Sequence, residues 1–170
     1  MNRSKLAGLS LVLALLIAAP ATAAQFGLGL HYLRTIEEIK DVEGFSQNDF
    51  AIFGSITVPI AIVRIEGDLE WVPDYLGTDE HLWNPSVYGF LDIGLIYGGV
   101  GMGIGYLTGD GAGWASNPWY GLRGGVQLGL AGLAVDAFLS YRFQSASFSD
   151  GVGNATLDAF TIGAQVKFGG

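Results

Sequence analysis

The 170-residue sequence contains no cysteine. That removes disulfides, thiolate metal sites, cysteine nucleophiles and a lipidated N-terminal cysteine. Charge is also scarce. Only 14% of residues are charged, against about a quarter in water-soluble domains. Basic residues are the scarcest: 8 Lys+Arg face 16 Asp+Glu, for a net charge of -8. A basic nucleic-acid binder is therefore excluded. What the chain has instead is glycine, 27 residues of 170, roughly double the usual ~7%. Half of the residues are hydrophobic, which excludes disorder. The length fits one domain, or at most two.

The first 24 residues read as an export leader. Arg3 and Lys5 give a positive start, Leu6 to Ala19 carry no charge, and Pro20 ends the run. Ala21-Thr22-Ala23-Ala24 then supplies small residues for cleavage, completing the three-part plan of a secretory signal. The apolar run is short for a membrane span of ~20 residues. The expected division is a leader over 1–24 and one domain over 25–170, beginning after Ala23 or Ala24.

The remaining chain is apolar, yet no stretch reads as a spanning helix. The best candidate, residues 93–109, is uncharged and holds Gly94/Gly98 and Gly101/Gly105 spacings. Its period argues otherwise. Gly99, Gly101, Gly103 and Gly105 alternate with Val100, Met102, Ile104 and Tyr106, which is the period of a strand. Glycines in a helix would each cost ~1 kcal/mol relative to alanine.

Eight such segments follow one another, each near the 9–11 residues of a tilted membrane strand. The third is the clearest. Ala61, Val63, Ile65, Leu69 and Trp71 share one face, and Arg64, Glu66, Asp68 and Glu70 the other. The seventh sets Leu133, Val135, Ala137, Leu139, Tyr141 and Phe143 against Asp136, Phe138, Ser140, Arg142 and Gln144. The eighth sets Phe160, Ile162, Ala164, Val166 and Phe168 against Thr161, Gly163, Gln165 and Lys167. The sixth sets Tyr120, Leu122, Val126 and Leu128 against Trp119, Gly121, Arg123 and Gln127. The first (Phe26, Leu28, Leu30, Tyr32) and second (Phe50, Ile52, Ile56, Val58) are similar. The fourth, near Ser86 to Ile93, has no clean separation of faces.

Short links near Pro59-Ile60, Asp92-Ile93-Gly94 and Leu130-Ala131-Gly132 alternate with long polar ones over 35–48, 73–85, 108–118 and 145–155. Three short turns opposite four long loops is the layout of an up-and-down barrel. Strands in lipid must close, because an open edge leaves unpaired N–H and C=O groups. Trp71, Trp83, Tyr106, Trp119, Tyr120 and Tyr141, with Tyr75 and Trp114, gather beside the long loops like an interfacial aromatic girdle. The expected fold class is all-β: an eight-stranded antiparallel transmembrane barrel.

Through this pattern, residues 25–170 resemble the eight-stranded outer-membrane barrel families, such as the OmpA transmembrane domain and OmpX. The segment Gly98-Gly99-Val100-Gly101-Met102-Gly103-Ile104-Gly105-Tyr106 is of the kind those families carry. The resemblance implies the outer membrane of a Gram-negative cell envelope, contact with outer-membrane lipid and lipopolysaccharide, and delivery by the barrel-assembly machinery. Such barrels end in an aromatic residue that the machinery reads. Here Phe168 is followed by Gly169-Gly170, so the signal is displaced or the family is a divergent one.

Dedicated chemistry is sparse. Gly99-x-Gly101-x-Gly103 fails the dinucleotide pattern, since Ile104 stands where a third glycine belongs. Asp110 and Asp150 sit in glycine-flanked turns without a full calcium-ligand spacing. Asn154-Ala155-Thr156 matches a glycosylation sequon, which bacterial export makes irrelevant. Thr35-x-x-Glu38 matches a capping box, so a short helix through Ile36, Ile39 and Val42 is one option for the first loop. The two histidines are His31 and His81. Barrels of this size include enzymes that act on lipid A, which place a histidine and a serine near the outer leaflet. His81, with Asp79, Glu80 and Ser86 nearby, is the candidate base, but a His-x-Ser strand motif is absent. No cofactor or metal is expected.

Two electrostatic expectations follow. Glu37, Glu38, Asp41, Glu43, Asp49, Asp74, Asp79, Glu80, Asp110, Asp150 and Asp158 form an acidic outward surface, against Arg34 and Lys40. Inside, Arg64, Arg123, Arg142 and Lys167 balance Glu66, Asp68, Glu70 and Asp136 in a near-neutral network. Inward Gly27, Gly29, Gly99, Gly101, Gly103 and Gly105 leave room for long Arg and Glu side chains to reach across. The expected function is a small monomeric barrel with a filled interior, in a structural, adhesive or ligand-binding role through loops whose ligand the sequence does not name. The alternatives are a lipid A-modifying enzyme of the same fold and a narrow, porin-like pore.

Overall fold

A computed structural model of the chain describes residues 24–36, 46–60, 62–77, 79–108, 114–115, 117–130, 132–148 and 153–169. The leader up to residue 23, the helix considered in the first loop, and Asp110 and Asp150 lie outside the described residues.

Eight strands make the wall: β1 (Gln25–Thr35), β2 (Asn48–Ile60), β3 (Val63–Val72), β4 (His81–Ile93), β5 (Ile96–Gly103), β6 (Trp119–Leu130), β7 (Leu133–Phe143) and β8 (Ala159–Phe168). Each pairs antiparallel with its neighbours in the chain, and β1 pairs with β8, Phe26 opposite Phe168. The ladder is closed. The path of paired residues Gln25, Thr57, Glu66, Tyr88, Gly101, Gly121, Arg142, Ala159 and Thr35 circles the barrel once. It returns to β1 ten residues further on. That stagger requires the strands to tilt by roughly 35–45°.

Alternation decides which side chains face which solvent. On β3, Arg64, Glu66, Asp68 and Glu70 are buried inward, while Val63 and Leu69 are exposed outward. Outward Leu28, Leu30, Phe50, Ile52, Leu91, Ile96, Val100, Leu122, Leu139 and Ile162 are all at least half exposed. A continuous apolar outer surface around a closed hydrogen-bonded wall is stable in lipid and unstable in water.

Two of the short turns sit slightly later than the sequence suggests. Pro59 and Ile60 are paired, opposite Arg64 and Val63, so the first turn lies beyond Ile60. Asp92 and Ile93 pair with Tyr97 and Ile96, and Leu130 pairs with Leu133. Gly94 (φ 68°) and Gly132 (φ 85°) take the left-handed backbone that tight hairpins demand.

β4 is the largest correction. It starts at His81 rather than near Ser86, which shortens the second long loop to 73–80. Its inward face carries Leu82, Asn84, Tyr88 and Phe90, so polarity does not alternate and the strand hides from a pattern search. Opposite Pro85 the β5 ladder lapses at Ile104-Gly105. It resumes in the same register, with Tyr106–Thr108 facing Trp83–His81. The fourth loop extends the wall as a hairpin of Ser145–Phe148 with Gly153–Thr156.

Candidate functional site: the barrel interior and its extracellular mouth

The interior is filled in layers. At the turn end, Arg64 lies between the rings of Phe90 (4.8 Å) and Tyr97 (4.3 Å). Its guanidinium donates to Gln127 and lies 3.6 Å from Asp92. In the middle, Glu66 accepts from Arg123 (3.1 Å), Lys167 (2.6 Å), Thr57 (2.9 Å) and Gln165 (3.2 Å). Arg123 also contacts Asp68 at 2.8 Å. Asp136 lies 3.2 Å from Lys167 and accepts from Tyr97 (2.7 Å) and Gln165 (3.0 Å). Nearer the loops, Glu70 takes both terminal nitrogens of Arg142, and His31 Nε2 stands 3.0 Å away. Asn84 donates to Glu70 (3.2 Å) and accepts from Trp119 Nε1 (2.8 Å).

All eight charged residues proposed for the interior therefore meet one another or a polar partner. The sequence reading missed Asp92, His31, Asn84 and Gln165 as members. The inward parity of His31 and Gln165 was readable and that of Asn84 and Asp92 on β4 was not, and their partners depend on strand register, as with Asn84 opposite Glu70 and Gln165 opposite Asp136. The inward glycines divide between two ends. At Gly27 the space is taken by Ser55, Gln165 and the stem of Lys167, as expected, whereas at Gly29, Gly99, Gly101 and Gly103 aromatic rings occupy it. A Cβ on Gly101 would lie 2.3 Å from the Tyr88 ring, one on Gly103 2.5 Å from Trp119, and one on Gly29 2.4 Å from Phe53. Phe53, Tyr88, Phe90, Tyr97, Trp119 and Phe138 form a buried apolar cluster beside the charges.

The girdle needs two corrections. Trp119 is fully buried inside the barrel, with the Arg142 guanidinium 4.9 Å from its ring. Its parity matches Gly121 and Arg123, so it points inward. Tyr75 is buried in the mouth, and that burial pushes its hydroxyl well above the ordinary tyrosine range. Five others stand outward: Trp71 opposite Trp83, Trp83 opposite Tyr106, and Tyr120 opposite Phe143 beside Tyr141.

The extracellular mouth is closed by the second loop. Tyr75 and Leu76 pack with Ala51, Val72 and Leu82. Asp74 (φ 48°) and Leu76 (φ 57°) hold left-handed backbone without being glycine, a strained state that the packing maintains. Ser46 N–H donates to the Leu76 carbonyl at 2.8 Å. Asp49, counted among the loop acids, is instead buried on β2 beneath this segment. Asp158 accepts from Tyr141 and from the Gln144 N–H. His81 faces outward near Trp71, 5.8 Å between rings. Ser86 is five residues along the same strand, on the opposite face and about 16 Å away, so the two do not form a catalytic pair.

No protein-family model matches the chain, and no curated protein does. Solved structures do. Neisserial surface protein A (NspA) superposes with a TM-score of 0.62 at 14% identity, over 86% of this chain and 96% of that one. The chain has the fold of the eight-stranded outer-membrane barrels. Ail, the attachment invasion locus protein of Yersinia pestis, matches with a TM-score of 0.49 at 15% identity, over 85% of this chain and 97% of that one. An outer-membrane barrel must present an apolar belt to lipid, and this one does.

Proposed function

We propose that this protein is a non-conducting outer-membrane barrel that acts through its extracellular loops, in a structural, adhesive or ligand-binding role. One observation carries the reading. The lumen is occupied along its length, from Arg64 between Phe90 and Tyr97 at one end to Tyr75 and Leu76 at the other. An eight-stranded barrel is only wide enough for side chains to fill, and paired charges in such a space hold one another in place. A pore would need those pairs to part.

Within this reading, residues 1–24 form the export leader, outer-membrane lipid and lipopolysaccharide surround the belt, the assembly machinery inserts the chain, and the barrel is monomeric. The acidic loops favour basic or cationic partners and disfavour anionic polymers. The separation of His81 from Ser86, and the enclosure of His31 beside Glu70, support a non-catalytic role.

Planar-bilayer recording of the refolded protein tests the central claim. No discrete conductance steps are expected. Regular steps from a heat-modifiable, folded sample would replace this reading with the narrow pore. A change in lipid A mass on overexpression would replace it with the enzyme.

A further inference from the structure

His31 is the one inward-facing histidine among the described residues, 1% exposed on β1. Its Nε2 stands 3.0 Å from Oε2 of Glu70, the same oxygen that meets Nη2 of Arg142. Glu70 Oε1 accepts from Arg142 Nη1 (2.8 Å) and from Asn84 (3.2 Å). Asn84 in turn accepts from Trp119 Nε1 (2.8 Å). One carboxylate on β3 thus ties β1, β4 and β7 together, and reaches β6 through Trp119.

The imidazole is clamped in front of this carboxylate. Phe53 of β2 stacks on it at 5.5 Å, and Phe138 of β7 meets it edge-on at 6.2 Å. The β8 backbone closes the remaining side, where a Cβ on Gly163 would lie 2.5 Å from His31 Cβ. Nδ1 has no hydrogen-bond partner among the described residues. The charges that face the ring are Glu70 on β3, Arg142 on β7 and Arg123 on β6. Asp68 of β3 lies beyond them against Arg123, whose guanidinium also covers the Tyr88 ring of β4. On β2, Asp49 is two residues towards the mouth from Ala51, the partner of His31. On β8, Lys167 is held further down by Glu66 and Asp136.

Histidine is the side chain that ordinarily changes charge between about pH 5 and 8. A proton taken up at Nδ1 makes this ring a second cation on Glu70, beside Arg142. Two like charges at one oxygen repel. The clamped ring has no room to retreat, so the change passes to the other partners of the carboxylate.

We propose that His31 is a proton-operated joint beneath the extracellular mouth: protonation rearranges the contacts of Glu70 with Arg142 and Asn84, and through Asn84 those of Trp119. The upper lumen therefore repacks when the medium turns acid. The inference rests on the filled-lumen reading above, since water in an open lumen would screen the imidazolium from Arg142.

Proton–nitrogen NMR of the refolded barrel in detergent micelles tests this, with the Trp119 indole signal identified by its loss in Trp119→Phe. Between about pH 8 and 5 the wild-type signal should move through a one-proton transition. In His31→Gln, which keeps a neutral donor for Glu70, it should stay in place. No movement in the wild type, or the same movement in His31→Gln, overturns the joint. If His31→Gln does not fold, the ring nitrogens are titrated in His81→Gln, where His31 is the remaining imidazole. A ring that titrates together with Trp119 supports the joint. A ring that keeps one charge state, or changes it at a different pH from Trp119, overturns it. A Trp119 indole proton that exchanges at once with heavy water at neutral pH removes the filled lumen itself, and the joint with it.

Discussion

The guanidinium of Arg123 lies 3.9 Å from the centre of the Tyr88 ring, while its Nη1 contacts Glu66 at 3.1 Å and Asp68 at 2.8 Å. One side chain thus joins the charged wall of β3 to the aromatic wall of β4. Planar, permanently charged arginine can stack and pair at once, which lysine cannot.

Arg123→Ala is expected to destabilise the barrel by about 3–5 kcal/mol, because it strands the buried Asp68 carboxylate and leaves Glu66 with Lys167 as its one cation. Asp79→Ala, at an exposed loop position, should change stability by less than ~0.5 kcal/mol. Chemical denaturation in detergent micelles measures both. Equal effects would mean that residue 123 is hydrated.

Gly101→Ala places its Cβ 2.3 Å from the Tyr88 ring. The expected cost is about 1–3 kcal/mol, the range for an overpacked core. Combined with Tyr88→Leu, the same substitution should cost markedly less than on its own, because the ring it meets is gone. A strictly additive pair would refute the ring-over-glycine arrangement.

Asp74→Gly should stabilise the protein by up to about 1 kcal/mol, since glycine takes the left-handed backbone without penalty. Thermal gel-shift midpoints give the readout. A loss of stability would show that the Asp74 side chain contributes more than its backbone costs.

Val100 faces lipid in the apolar belt, 64% exposed. Val100→Arg should cost about 2–4 kcal/mol when the barrel is folded into liposomes, as for charges near the bilayer midplane. Arg34→Glu, beyond the belt, should cost much less. Similar penalties at the two positions would contradict the placement of the belt.

Much of this fold was legible because lipid and lumen impose opposite demands on successive residues. β3 shows it best: Arg64, Glu66, Asp68 and Glu70 alternate with apolar neighbours. β4 was illegible for the converse reason, since Tyr88 and Phe90 point inward and are as apolar as Leu91 and Ile93. Trp119 was readable in principle, because it shares parity with Arg123. Its neighbourhood beside a long loop suggested a girdle instead. Individual ion pairs were out of reach. A one-residue shift of a turn moves every side chain to the other face, and the first two short turns sit a residue or two beyond the points the sequence marked. Asp49 shows the same limit, since a strand that outreaches the belt carries a loop-like residue into the mouth.

The β1–β8 junction joins residues at opposite ends of the domain, Phe26 to Phe168. The same final strand delivers Lys167, the ammonium that Glu66 and Asp136 share. A nascent sheet lacking β8 therefore has two raw edges, an Asp136 without its cation and a Glu66 left with Arg123 alone. Both defects vanish in a single docking event late in assembly, when the longest-range contact forms. β8 thus works as a checkpoint: a sheet that lacks it or pairs it out of register is penalised twice, in backbone pairing and in charge.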